Sequence, residues 1–241
     1  MTISVLVPAF NEGGGLAATL TSIRAALPEF EARGWTTELV VCDNNSTDDT
    51  AAIARAHGAR VVFEPINQIS RARNAAAAAA RGEWLVFIDA DSQPSAPLFG
   101  AVADAIASGH YLAGGSTVVM DRRGVSAAVG VAAWNAISRL TRWAAGSFIF
   151  VAASGFRAVG GFSEALYASE EIDLFRKLKR QARHEGKGIV ILAQHPLVTS
   201  GRKLELYSPL EIAAFMARTV LTGGRSLRRA ESCSVWYDGR R

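Results

Sequence analysis

The chain has 241 residues, of which 49% are hydrophobic and 20% are charged, and its formal net charge is +4. This length and composition allow one large domain with a full hydrophobic core. Its two cysteines, Cys42 and Cys233, are too few for a disulfide framework and lack metal-ligand spacing.

The sequence predicts neither a signal peptide nor a membrane-spanning helix. The N-terminus has no basic region, and Pro8 ends its short apolar run, so we expect no signal peptide. No stretch reaches about 18 uncharged apolar residues, so we expect no membrane-spanning helix. These patterns are typical of a cytoplasmic protein.

In residues 1–115, short apolar runs alternate with helical patterns. The predicted strands are Ile3–Val7, Glu38–Cys42, Arg60–Phe63 and Trp84–Ile88. The predicted helices are Leu16–Leu27, Asp48–His57, Ser70–Arg81 and Ala96–Ser108. Ser46 and Asp49 have the spacing of a capping box at the second helix. The alternation predicts an α/β fold, a doubly wound, mostly parallel sheet flanked by helices in a single globular domain.

The remaining residues are less regular. The predicted strands are Gly114–Met120, Ser147–Ala152 and Ile189–Ala193, and the predicted helices are Val125–Ala145, Glu170–Arg183 and Leu206–Leu221. We expect one domain over residues 1–225, with a front half (1–115), a back half (116–205) and a C-terminal helix (206–225). Residues 226–241 form a basic end that we expect to be a loose, solvated tail.

Polar residues follow three of the front-half strands. They are Pro8, Asn11 and Glu12 after the first strand, Asp43 and Asn45 after the second, and Asp89 and Asp91 after the fourth, with Arg73 in the helix between. Open α/β sheets bind ligands at this carboxyl edge. Carboxylates can accept hydrogen bonds from ribose and base, an arginine can pair with phosphate, and two carboxylates with a diphosphate suit Mg²⁺. The pattern predicts a metal–diphosphate site for a nucleotide.

Each of these signals also has an ordinary structural explanation. Asp91 and Ser92 before Pro94 are common in solvated turns, and Arg73 could lie on a helix surface. Gly13-Gly14-Gly15 could be a flexible approach to a helix. The occurrence of all the signals at one sheet edge favours the binding site.

Together, Pro8-x-x-Asn11-Glu12, Asp43-Asn44-x-Ser46-x-Asp48, Arg73-Asn74 and Asp89-x-Asp91 resemble the front half of the inverting family-2 glycosyltransferases, which have the GT-A fold. The resemblance implies that Glu12 and Asp43 hold the nucleoside and that Pro8 shapes the base-binding loop. It also implies that Asp89 contacts ribose or metal-bound water and that Asp91 ligates Mg²⁺ or Mn²⁺. Residues 1–115 would then be the nucleotide-sugar-binding half and 116–205 the acceptor and catalytic half.

The resemblance continues to Gly160-Gly161-Phe162 and to Glu170-Glu171. The family usually has its catalytic base in a Glu-Asp pair at this point, so Glu171 stands at the aspartate position with one more methylene. The resemblance implies Glu171 as base, with Glu170 as second choice, and Phe162 as a pocket wall. Acidic residues in a first helical turn also favour the helix dipole without any chemistry.

Two further candidate residues, His195 and Arg202, follow the last predicted strand. Arg202, in Gly201-Arg202-Lys203, could bring a cation to the diphosphate. His195 could complete a metal shell, although a single histidine beside Pro196 is more often structural. The chain lacks the Gln-x-x-Arg-Trp pattern of processive synthases, which favours transfer of a single sugar.

We therefore expect metal-dependent, inverting transfer of a sugar from a nucleotide-diphosphate sugar to an acceptor hydroxyl. A non-catalytic sugar-nucleotide-binding protein and a nucleotidyltransferase are the alternatives. The acceptor is unknown.

The apolar segments Val125–Ala145 and Leu206–Leu221 carry arginines. They could contact the inner face of a membrane that presents a lipid-linked acceptor, or they could be buried in the domain. We expect no nucleic-acid partner, because the basic residues lack clustered aromatics and a reading motif.

Overall fold

The computed structural model describes residues 1–121, 125–201, 225–228 and 230–233. The predicted helix Leu206–Leu221 and the candidate residue Arg202 lie outside the described residues.

The described residues form one sheet with helices on both faces. The strands are β1 (Thr2–Ala9), β2 (Thr36–Asp43), β3 (Arg60–Phe63), β4 (Trp84–Ile88), β5 (Ser92–Gln93), β6 (Tyr111–Met120), β7 (Phe148–Ala152) and β8 (Gly188–Thr199). The helices are α1 (Leu16–Ala26), α2 (Pro28–Glu31), α3 (Thr50–Ala56), α4 (Ile69–Ala79), α5 (Ala96–Ala107), α6 (Val125–Thr141), α7 (Ala153–Ala158) and α8 (Glu170–His184). Short 3-10 helices span Arg225–Arg228 and Ala230–Cys233.

The strand order is β3-β2-β1-β4-β7-β6-β8-β5. The first four strands of that order are parallel, and β6 and β8 run in the same direction as they do. Of the eight strands, β7 and β5 run the opposite way. The predicted mostly parallel α/β sheet is confirmed, and the two reversed strands make it mixed.

Both faces of the sheet are buried, which explains why its strands read as continuous apolar runs. In β1, Val5 and Val7 pack on the face that α1 and α5 cover, whereas Leu6 packs on the other face with Leu174 and Leu178 of α8. Each such side chain contributes roughly 1.5–3 kcal/mol through the removal of apolar surface from water. The buried β-strands therefore provide a rigid base for the loops at their ends.

The predicted elements of the front half match the structure to within two residues at each end, and two of these differences affect the polar loops. Strand β1 continues through Pro8 to Ala9, because its pairing with β4 stops at Leu6 and the missing N–H interrupts no bond with that strand. The predicted second helix begins later, at Thr50.

The capping box predicted for Ser46 and Asp49 is wrong. Asp49 precedes α3 but makes no side-chain capping bond. The side-chain bond to the start of α3 comes from Asp48, whose Oδ1 accepts from the Thr50 amide at 3.0 Å. The Ser46 hydroxyl accepts from the Asn11 amide at 2.9 Å. This polar loop therefore holds the neighbouring loop as well as starting a helix.

The back half departs further from its prediction. Helix α6 ends at Thr141 and not at Ala145, since Arg142 has a left-handed φ of 51°. Strand β8 runs on to Thr199 across an irregularity, where the partners of Ser116 and Val118 are Leu192 and Leu197. Three elements were not predicted, α2 and β5 in the front half and α7 in the back half, because they have two to six residues and show no readable periodicity.

The described residues near the C-terminus pack against the domain and are not loose. Leu227 and Cys233 are buried with Ala168, and the Tyr167 amide donates to the Leu227 carbonyl at 2.7 Å. Among the described helices, none is long and apolar enough to cross a lipid bilayer.

Candidate active site

The loops after β1 and β2 are held together by their own polar groups. Asn11 accepts from the Thr47 amide through Oδ1 at 2.7 Å, and its φ of 50° suits an asparagine. The Glu12 amide donates to the Thr50 hydroxyl at 2.8 Å. These bonds place the loop that carries Glu12 beside the end of β2.

Two carboxylates lie in this corner with little exposure. Glu12 and Asp43 are each 8% exposed. Asp43 ends β2 beside Ala9 of β1, and its Oδ1 accepts from the Ser46 amide at 3.0 Å. Carboxylate oxygens accept hydrogen bonds, and a nucleoside offers hydroxyl and N–H donors.

The Asp89-Ala90-Asp91 segment leaves β4 at the same edge of the sheet. Strands β2, β1 and β4 are neighbours, so Asp43 and Asp89 lie two strand spacings apart, roughly 10 Å. The buried Thr19 hydroxyl donates to the Ala90 carbonyl at 2.7 Å, and the Ser200 amide donates to the Asp91 carbonyl at 3.1 Å. The sheet thus places Asp43, Asp89 and Asp91 at one edge, and these bonds fix the backbone of the Asp89–Asp91 segment.

Arg73 lies between Asp89 and Glu170 and is 2% exposed. Its Nη1 donates to Glu170 Oε1 at 2.7 Å, and its Nη2 donates to Asp89 Oδ1 at 2.9 Å and to the Gly146 carbonyl at 2.8 Å. Its guanidinium also stacks 5.2 Å from the centre of the Phe162 ring. From the sequence we expected Arg73 to pair with phosphate, whereas its bonds go to the protein. A contact with a ligand stays a prediction.

Glu171 is next to this cluster and only partly buried. A Cβ placed on Gly146 would lie 3.8 Å from its carboxyl carbon and 3.2 Å from Arg73 Nη2. Burial and the charges of Glu170 and Asp89 raise the pKa of Glu171 to about 8, although Arg73 acts in the opposite direction. Two neighbouring glutamates therefore differ: Glu170 is paired with Arg73, whereas the pKa of Glu171 is raised.

The Gly160-Gly161-Phe162 turn contacts the cluster through the Phe162 ring, on which Arg73 stacks. Both glycines have left-handed φ angles, 78° and 66°. Asn74 clamps the turn, since it donates to the Phe162 carbonyl at 2.9 Å and accepts from the Phe162 amide at 3.0 Å. Phe162 is 2% exposed and packs on Phe87, so the expected pocket wall is instead part of the core.

The other predicted site residues vary in placement. Pro8 is buried in β1, and Asn45 is exposed with a φ of 66°. Arg202 cannot be placed, since it is outside the described part of the chain, although Ser200 lies against Asp91. Thr19 and Gly146 were not predicted from the sequence, because threonine and glycine are common residues and neither lies in a recognisable motif here.

The Asp89 and Asp91 carboxylates fit a divalent cation. Both supply hard oxygen ligands, and Asp89 is 24% exposed while giving one oxygen to Arg73. Within the described residues, no group of three His, Cys, Asp or Glu side chains could hold an ion, so His195 does not complete such a group there. A cation would therefore need substrate oxygens, which is how Mg²⁺ usually binds beside a diphosphate.

Comparison with known proteins agrees with this geometry. The family model described as "Glycosyl transferase family 2" matches residues 4–145. An uncharacterised glycosyltransferase of Mycobacterium tuberculosis is 38% identical over 94 residues, which cover 39% of this chain and 38% of that protein. The match thus spans well under half the length of this relative.

Solved structures match over more of the chain. S. aureus TarS, residues 1–349, has a TM-score of 0.66 at 22% identity and covers 84% of this chain and 61% of its own, and it has also been solved with UDP-GlcNAc. Glucosyl-3-phosphoglycerate synthase from Mycobacterium tuberculosis, in complex with Mn²⁺, UDP and phosphoglyceric acid, has a TM-score of 0.61 at 25% identity, with 91% and 76% covered. The chain therefore belongs to glycosyl transferase family 2 and has the GT-A fold.

Proposed function

We propose that this chain transfers a sugar from a nucleotide-diphosphate sugar to an acceptor hydroxyl, with inversion at the anomeric carbon and with Mg²⁺ or Mn²⁺ as cofactor. The observation that carries the proposal is the bonding of one buried guanidinium, Arg73, to both Asp89 and Glu170. Arg73 thereby connects Asp89, which is suited to bind a cation beside a diphosphate, to Glu170 at the start of α8. The complexes of the two solved relatives with UDP, UDP-GlcNAc and Mn²⁺ support a donor of this class.

In this proposal the first two loops hold the nucleoside. The buried Glu12 and Asp43 carboxylates accept from donors on the ribose and base, and Asn45 and Asn11 line the same corner. Asp91 and Asp89 would hold the cation, which supplies positive charge against the departing diphosphate. The Thr19 and Ser200 bonds hold the backbone of the segment that carries these two carboxylates.

Glu171 is the proposed base. The acceptor oxygen forms the new bond to the anomeric carbon while the bond to the diphosphate oxygen breaks, and the hydroxyl proton passes to the Glu171 carboxylate. Glu171 must be ionised to accept this proton, so its raised pKa of about 8 implies that turnover through this base increases with pH up to about 8. Glu170 is the weaker choice, because it is 5% exposed and its Oε1 is bonded to Arg73.

The test is turnover of labelled UDP- and GDP-sugars with Mn²⁺, in which release of the nucleoside diphosphate and the anomeric configuration of the product are followed. Asp91→Ala should abolish turnover, whereas Asp104→Ala, at an exposed aspartate of α5 paired with Arg33, should not. Tight donor binding without turnover would instead favour a binding protein. Release of pyrophosphate from a nucleoside triphosphate and a sugar phosphate would favour a nucleotidyltransferase.

A further inference from the structure

Helix α6 carries apolar side chains on its outer side. Ala133, Ala136, Ile137 and Leu140 follow the spacing of one helix face and are all exposed, Ile137 by 46% and Leu140 by 87%. We call these four residues the apolar stripe. An amphipathic helix of a globular protein usually turns such a face toward the core. Here Trp134 packs against the core, and the apolar stripe faces out.

Basic side chains border the end of this helix. Two adjoining cavities of about 300 and 280 Å³ lie between α6, α8 and the start of β8, and Arg142 lines both. We call the basic residues that line them the basic groove: Arg139, Arg142, Lys179, Arg183 and Lys187. Leu140 of the apolar stripe lines the first cavity, so the two features are continuous.

The positive charge of the basic groove is poorly balanced. Lys187 pairs with Glu185 at 3.1 Å. Within the described residues, Arg139, Arg142 and Arg183 have no carboxylate partner. Burial, and then the nearby charges of Arg142, Arg183 and Arg176, lower the pKa of Lys179, whose ammonium donates to the Thr141 carbonyl. Like charges gathered in this way are stabilised by anions from outside the chain.

We propose that the apolar stripe and the basic groove together dock this protein on an anionic lipid bilayer. The stripe enters the boundary between headgroups and acyl chains, with α6 in the plane of the surface, and the basic groove faces lipid phosphates. A second copy of the chain fits less well, because its own basic groove would bring like charges together. A soluble polyanion would leave Leu140 in water.

This surface is distinct from the candidate active site but near it. Lys179 and Arg183 follow Glu171 on α8 by eight and twelve residues, which places them about 12 and 18 Å from it along the helix axis. The sequence left open whether the segment Val125–Ala145 is buried or meets a membrane, and the exposure of the apolar stripe favours the second. The inference does not depend on the reaction proposed above.

The test is sedimentation of the full chain with vesicles of phosphatidylcholine alone or with about 30% phosphatidylglycerol, at low and high salt. We expect binding to the anionic vesicles that weakens with salt. Neutralising two groove residues, Arg139→Gln with Arg142→Gln, should weaken binding roughly 30-fold. Leu140→Ser, which removes one inserted side chain, should weaken it roughly 10- to 100-fold.

The matched control is Arg55→Gln with Arg157→Gln, which makes the same charge change at two exposed arginines elsewhere. The proposal is overturned if this control weakens binding as much as the groove variant, or if neutral vesicles bind equally well. Absence of vesicle binding overturns it too, as does a dimer in light scattering that Leu140→Ser dissociates. Circular dichroism of each variant ensures that a loss of binding is not a loss of fold.

Discussion

Arg73 Nη1 lies 2.7 Å from Glu170 Oε1, and this bond joins two helices through residues that are 97 positions apart in sequence. Arg73 is on α4, before the strand that ends at Asp89, and Glu170 begins α8. A single guanidinium therefore sets the distance between the proposed cation-binding loop and the proposed base. The following predictions concern this cluster.

Arg73→Lys should destabilise the protein by about 1–3 kcal/mol, because the charge is kept while buried acceptors lose hydrogen bonds. One ammonium cannot reproduce the fork that reaches Asp89, Glu170 and the Gly146 carbonyl together. Urea denaturation measures the change. Arg71→Lys, at the partly exposed pair with Glu164, should stay within about 1 kcal/mol. Equal effects of the two substitutions would contradict the central part assigned to Arg73.

Glu171→Gln should lower turnover by about 10²- to 10⁴-fold with donor affinity nearly unchanged, because it removes a general base and leaves the donor loops intact. Glu170→Gln should mainly reduce stability, since it removes the carboxylate that balances Arg73. Single-turnover kinetics and calorimetric donor titration separate the two effects. If Glu171→Gln keeps full turnover, the base is another residue.

Without metal, stability should fall as the pH rises from about 5 to 8. The pKa of Glu171 is about 8 in the folded protein and 4.5 ordinarily, so in this range the folded form keeps a proton that the unfolded form has lost. The unfolded chain then binds fewer protons, and the free energy of unfolding decreases with pH by at most about 1.4 kcal/mol per pH unit from this group. Above about pH 8 this contribution levels off.

Urea denaturation in a chelating buffer, at several pH values, measures this slope. Glu171→Gln should remove its contribution. Glu185→Gln is the control, because hydrogen bonds from Gln181 and Lys187 lower the pKa of Glu185, so its stabilising contribution is complete above its ordinary pKa. An unchanged slope in Glu171→Gln would mean that Glu171 is ionised in the folded protein.

Gly146→Ala should reduce turnover by about 10- to 100-fold, because the new methyl group would lie 3.2 Å from Arg73 Nη2 and shift the cluster. Gly130→Ala on α6 is the matched control, since nothing lies within 4 Å of its Cβ position. Steady-state kinetics on both variants make the comparison. Equal activity of the two would show that the space beside Gly146 is not needed.

Much of the front half could be predicted from local patterns. Strands β1 to β4 were recognised as apolar runs because both sheet faces are covered, and their polar exits were identified from the same alternation. The element ends were less accurate where side chains made unexpected bonds. Ser46, for example, has a capping spacing but bonds to Asn11, which is 35 residues away.

The back half was harder to predict because its strands depend on partners remote in sequence. The reversed direction of β7, the extension of β8 to Thr199 and the pairing of β5 with β8 follow from contacts between distant segments. A two-residue strand such as β5 has no periodicity of its own. Its existence depends on the neighbouring strand.

The residue pattern was sufficient to establish a sheet whose acidic strand ends meet at one edge, because periodicity and strand-exit chemistry are local properties. The tertiary structure determines which acidic side chains form ion pairs and which have shifted pKa values, because burial and pairing depend on residues distant in sequence. Glu170 and Glu171 are adjacent and chemically identical, yet one is bonded to Arg73 and the other has its pKa raised to about 8. The outward apolar face of α6 was likewise invisible in sequence, because a helical pattern does not say which face the core will cover.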